Sequence, residues 1–199
     1  MDKLSLTARE RLRADLGRYY AYLNPRTRRR RLRIILKTEG IWAISVFRFG
    51  QYVYQEASPL ARMFFKIPYE LSAKLIGHIV GIHLAPRTNI GPGLYIGHYG
   101  GIWISPLATI GANCNIGQGV TIGTAGVNFA GAPVLGDRVW VGPNAVISGP
   151  SKVGDGAVVG ANSLVVTNIP ENGVAVGVPA KILAFTGSDN LIGPTEQTS

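Results

Sequence analysis

The side chains with most chemistry to offer in this sequence are three histidines, one cysteine and a run of arginines. His98 stands in Ile96-Gly97-His98-Tyr99-Gly100-Gly101. A neutral imidazole accepts a proton near neutral pH, so His98 can serve as a general base. His78 and His83 are the other two histidines. A histidine metal centre needs three converging imidazoles, and His78 falls in a different part of the chain from the other two, so no metal is expected. The single Cys114 excludes an internal disulfide framework and a multi-cysteine metal site. Arg26, Arg28, Arg29, Arg30, Arg31, Arg33 and Lys37 concentrate much of the +9 net charge within a dozen positions. Such a run is either a solvated helix face or an attraction to anionic lipid or substrate. No nucleic-acid motif accompanies it, and nucleic acid is not expected as a partner.

The elements that position these residues follow from periodicity. After Ile82 an aliphatic residue recurs every six positions, at Leu84, Ile90 and Ile96, then Ile104, Ile110, Ile116 and Ile122, then Leu135, Val141, Ile147, Val153, Val159 and Val165. Glycine often follows it, which accounts for much of the chain's 26 glycines. A second, usually small, inward position falls four residues on, at Thr88, Ala108, Cys114, Val120, Ala145, Ser151, Ala157 and Ser163. Period six predicts a triangular solenoid, one short strand and one tight corner per unit, three units per coil. Cys114 then fills a small buried position and is structural. The phase breaks twice, after His98 and again over the loop Gly123 to Pro133. Insertions in solenoids are loops on one face, often the binding face.

Before Ile82 the pattern is helical. Leu12, Leu16, Tyr19, Tyr20 and Leu23 recur at helical spacing up to Asn24-Pro25. A second apolar stretch runs from Ile34 to Tyr54, interrupted by Gly40 and Gly50. A third runs from Leu60 to Val80 and holds Pro68, which predicts a kink or split. The expected domains are residues 1–81 (α-helical, with the basic segment), 82–183 (solenoid) and 184–199 (a polar, disordered tail). Neither a secretory signal nor a bilayer-spanning run is evident. The expected location is cytoplasmic, with peripheral membrane association through Arg26 to Lys37 as an extension.

The segments IGPGLYIGHYGGIWISPLATIG (90–111), GVTIG (119–123), GDRVWVG (136–142) and VGVPAKI (176–182) resemble the hexapeptide-repeat acyltransferases, and within them the serine acetyltransferase branch. The resemblance covers about Ile82 to Leu183. It implies a left-handed parallel β-helix behind an N-terminal helical domain, and homotrimers with active sites between neighbouring subunits. It also implies acetyl-CoA as co-substrate and direct transfer of acetyl to a hydroxyl. His98 matches the family's catalytic base. By position, Gly123, Pro143 and Ala161 would lie beside the pantetheine arm, and Lys181 would meet a phosphate.

The departures from the family pattern are chemical. Serine acetyltransferases place a carboxylate just before the catalytic histidine and another on the preceding strand; here those positions hold Gly97 and His83, so the resemblance makes His83 the candidate to orient His98 in the carboxylate's place. The family's Arg-His pair for serine falls on Gly131 and Ala132, and its aspartate on Asn24. Burying a zwitterion without partners is costly. The expected acceptor is therefore a neutral sugar hydroxyl of a polysaccharide or lipid-linked precursor, held by Asn24, Thr124 and Asn128, with free L-serine a poor substrate. The alternatives are a serine O-acetyltransferase of cysteine biosynthesis and a non-catalytic trimeric scaffold.

Overall fold

The computed structural model of the protein describes residues 6–126 and 131–193. Four α-helices come first: α1 (Ala8–Leu23), α2 (Arg28–Lys37), α3 (Glu39–Gln51) and α4 (Pro59–Val80), with a π-helical turn at Tyr52–Glu56. Local chemistry fixes their ends. Thr7 and Glu10 form a reciprocal capping box at the start of α1, the Thr7 N–H donating to the Glu10 carboxylate at 2.8 Å. Asn24 ends α1 in the left-handed region (φ 41°), where its N–H reaches the Tyr20 carbonyl. Ser58 and Pro59 open α4, and Gly81 (φ 66°) closes it.

Two expectations for the helices change. The break in the second apolar stretch falls at Thr38, and Gly40 and Gly50 lie inside α3. They are glycines because α3 is packed too closely for a side chain. A Cβ on Gly40 would stand 2.2 Å from the Ile96 carbonyl oxygen, and one on Gly50 would stand 2.4 Å from the Tyr69 ring. The helix bearing Pro68 is not split, and α4 runs unbroken for 22 residues. Packing outweighs the lost hydrogen bond there, since Tyr69, next to the proline, is buried against Gly50 of α3.

From Ile82 the chain winds into a solenoid of three parallel sheets. The first contains β1 (Ile82–Leu84), β4 (Ile102–Ile104), β7 (Thr121–Gly123), β10 (Val146–Ser148) and β13 (Leu164–Val165). The second contains β2 (Asn89–Ile90), β5 (Thr109–Ile110), β8 (Val134–Leu135) and β11 (Lys152–Val153). The third contains β3 (Tyr95–Ile96), β6 (Asn115–Ile116), β9 (Trp140–Val141), β12 (Val158–Val159), β14 (Val174–Val176) and β15 (Lys181–Ala184). Coils pair residues eighteen apart, Trp103 with Thr121 and Val146 with Leu164. The coil holding His98 takes twenty, Ile82 to Ile102, and the coil holding the long loop takes twenty-five, Thr121 to Val146. The two phase breaks are therefore absorbed as loops without disturbing the ladders. Every six-residue aliphatic from Ile90 to Val165 is buried, as are all eight small inward positions. Leu84 alone of the series is half-buried, facing a cleft described below.

The helical domain caps the first coil through buried polar contacts. Asp15 of α1 accepts from Arg48 of α3 (Nε at 2.7 Å) and from the Leu94 N–H (2.8 Å). Arg48 also donates to the carbonyls of Ile90 (2.9 Å) and Gly91 (2.6 Å). The Tyr19 hydroxyl both donates to the Ile96 carbonyl and accepts from the Ile96 N–H. At the far end the expected disordered tail is not found over 184–193. There β15 turns back antiparallel to β14, Ser188 and Ile192 are buried, the Ser188 hydroxyl donates to the Arg138 carbonyl, and Arg138 pairs with Asp189. The polar composition misled because those groups are satisfied by the solenoid wall. Residues 194–199 lie outside the described residues.

Cys114 is fully buried, its thiol 3.2 Å from the Gly136 carbonyl, and burial pushes its pKa up to about 12. The thiol should resist a disulfide reagent in the native protein and react once denaturant is added, as a colorimetric thiol count will report. The raised value also carries a sign. Stability from the protonated thiol is complete below the unfolded value of about 8.5 and is lost as pH climbs from there toward 12.

Candidate active site

The two insertions leave the coil at different corners. His98 follows β3, where the chain passes from the third sheet to the first, whereas the long loop follows β7, between the first sheet and the second. Gly100 and Gly101 take positive φ (103° and 67°), and the Gly100 carbonyl accepts from the Gly119 N–H at 2.8 Å. The loop backbone is thus pinned to the next coil while His98 itself is exposed. Among the described residues His98 makes no hydrogen bond or ion pair, and Gly97 beside it brings no carboxylate.

Above His98 the same corner repeats along the solenoid axis. A Cβ on Gly117 would lie 2.7 Å from the Pro143 nitrogen, one on Gly142 would lie 2.6 Å from the Ala161 nitrogen, and one on Gly160 would meet the Val176 side chain. Glycine is required because backbone stacks on backbone there. Pro143 and Ala161 therefore share the His98 corner, and exposed Lys181, paired with Val176, stands at its far end. Gly123 does not join them, since it ends β7 at the other corner. Three of the four expected coenzyme contacts lie on one edge of the solenoid and the fourth on another.

A cleft of about 530 Å³ opens between α3, α4 and the outer face of the first sheet. Phe47, Ala73 and Ile76 form its helical wall; His83, Trp103, Thr121, Ser105, Gly123 and Thr124 form the opposite one. The His83 ring stacks on the Trp103 indole, centroids 3.9 Å apart and planes inclined 21°. Gly77 of α4 makes room for it, since a Cβ there would come within 3.1 Å of the imidazole. Among the described residues no Asp, Glu, Lys or Arg lines the cleft.

Within one chain His83 does not orient His98. No hydrogen bond joins them, and the Trp103 indole covers one face of the His83 ring. Thr124 is in the cleft wall, as an acceptor contact requires, but Asn24 is an exposed helix cap that does not line it. Asn128 lies outside the described residues. Trp103, Ser105 and Thr121 were not singled out from the sequence. The signal was the alternation Ile102-Trp103-Ile104, in which two inward isoleucines force the tryptophan outward. Among the described residues no three His, Cys, Asp or Glu side chains gather as metal ligands.

Residues 132–167 match the bacterial transferase hexapeptide (six repeats) family model. Serine acetyltransferase from Helicobacter pylori is 36% identical over 157 residues, which is 78% of this chain and 87% of that protein. Serine acetyltransferase from Neisseria gonorrhoeae superposes with a TM-score of 0.74 at 29% identity, covering 89% of this chain. The match takes in 66% of that longer protein, just under two-thirds. The coenzyme A complex of serine acetyltransferase from Brucella abortus gives a TM-score of 0.75 at 27% identity, covering 90% of this chain and 68% of that one.

Proposed function

The chain belongs to the serine acetyltransferase family of hexapeptide-repeat transferases, acetyl-CoA-dependent O-acetyltransferases on a left-handed parallel β-helix, and on that ground we propose that its acceptor is the hydroxyl of L-serine. The observation that carries this reading is the Helicobacter pylori relative, matched over 87% of its length. The sugar acceptor expected from the sequence gives way to the alternative named beside it, because the relatives are named for serine.

His98 is the general base. Its neutral imidazole takes the proton of the acceptor hydroxyl as the oxygen attacks the thioester carbonyl. Collapse of the tetrahedral intermediate breaks the C–S bond, and the imidazolium returns its proton to the departing thiolate. Backbone N–H groups at the coil corners hold the developing oxyanion. Pro143, Ala161 and Lys181, stacked along the His98 corner, bind acetyl-CoA. The cleft with Thr124 and His83 lies toward a different corner, so the reacting groups meet when the His98 edge of one copy faces the cleft of the next, in a homotrimer. Native mass spectrometry should report three chains; an active monomer would rule the shared site out.

One observation favours a second reading. Among the described residues the cleft has no Asp, Glu, Lys or Arg, and Asn24, Gly97, Gly131 and Ala132 replace the charged groups that the resemblance places around serine. A neutral hydroxylic acceptor suits those surroundings better than a zwitterion. Steady-state comparison of L-serine with neutral saccharides at saturating acetyl-CoA separates the two. L-serine is expected to turn over with a KM between about 1 μM and 1 mM. Turnover of a saccharide with none of serine would replace the first reading by the second.

A further inference from the structure

Helix α2 carries Arg28, Arg29, Arg30, Arg31, Arg33 and Lys37, no acidic residue, and no buried residue. Its inner edge is fastened to the domain. Ile34 and Ile35 pack on the core, the Trp42 indole N–H donates to the Ile35 carbonyl at 2.6 Å, and the Arg31 guanidinium lies 5.2 Å over the Tyr20 ring. At roughly 100° per residue, the opposite edge presents Leu32, Leu36, Arg29 and Arg33, with Arg28 and Lys37 at its margins. Leu32 and Leu36 are 58% and 62% exposed. Among the described residues no cation of α2 has an ion-pair partner.

This arrangement works against itself in water. Arginines in the first turn oppose the positive end of the helix dipole, and Arg28 with Arg31 and Arg29 with Arg33 place like charges on neighbouring turns. An anionic plane relieves both effects. The exposed leucines set between the charges add an apolar contact that a lipid surface uses and a nucleic-acid backbone does not. Among the described residues no helix is long and apolar enough to cross a membrane, so the contact would be peripheral.

We propose that the outer face of α2 docks the protein on an anionic lipid surface, with Leu32 and Leu36 entering the headgroup boundary and the surrounding arginines pairing with lipid phosphates. The test is co-sedimentation of the full chain with vesicles of phosphatidylcholine alone or phosphatidylcholine mixed with phosphatidylglycerol. Binding should require phosphatidylglycerol and weaken as salt is raised. Each basic residue near an anionic surface contributes about fivefold, so Arg29→Gln with Arg33→Gln should weaken binding roughly 25-fold. Leu32→Gln with Leu36→Gln should weaken it as well, with acetyl transfer unchanged in both variants. No binding, equal binding to both vesicles, or full binding by either variant would overturn the proposal. So would a single-stranded RNA bound in preference to vesicles, or a native mass altered by the leucine pair, which would assign the face to contacts between copies.

Discussion

Replacing His98 by alanine is expected to lower the rate of acetyl transfer by about 10² to 10⁴ and to leave the protein folded. The size follows from removing the imidazole proposed to take the hydroxyl proton during attack. The separation of function from folding follows from geometry. His98 is exposed and without a hydrogen bond among the described residues, and its loop is held by the Gly100 and Gly119 backbone. A surface change of that kind alters stability by no more than about 0.5 kcal/mol. Acetyl-CoA affinity should be nearly unaffected, since the coenzyme contacts assigned along the edge lie above the histidine. Parent-level turnover in the variant would remove His98 from the mechanism, whatever the acceptor.

The largest effect on folding is expected at Asp15. Asp15→Ala leaves the Arg48 guanidinium buried (1% exposed) with its counter-charge gone, and frees the Leu94 N–H as well. Breaking a buried pair on one side costs about 3–5 kcal/mol, a large part of a domain's usual stability. Urea unfolding should show the midpoint falling by that equivalent. Asp15→Asn keeps an acceptor for Leu94 and should lose less. A loss below about 1 kcal/mol for the alanine variant would mean that the Asp15–Arg48 contact does not hold the helices on the first coil.

Much of this architecture is legible in the sequence because a solenoid repeats its requirements. Ile90, Ile110 and Leu135 occupy one inward row, so a single physical rule applied at every sixth residue places them all. His98 stood out for the complementary reason, as the polar residue at a place where the repeat pauses. What the sequence hides is what depends on single, unrepeated contacts. Nothing in the pattern of α1 or α3 announces that Asp15 and Arg48 meet across 33 positions, or that Arg48 also donates to the Ile90 and Gly91 carbonyls. The tail was misread for the same cause, since Asn115 and Arg138, far earlier in the chain, hold it through the Leu191 carbonyl and the Ser188 hydroxyl. His83 is the instructive case at the site. The family pattern put it in a carboxylate's place and suggested a partner for His98, yet the outward Trp103 one coil on, its register partner, takes the ring instead.

The acceptor assignment and the base meet in one measurement: incubation with acetyl-CoA carrying a labelled acetyl group and L-serine, with free CoA and labelled product quantified together. O-acetylserine should form in equal amount with CoA, and both should form about 10²- to 10⁴-fold more slowly when His98→Ala replaces the parent. Acetyl-CoA left intact by the parent, or CoA released while serine stays unlabelled, would contradict the assignment.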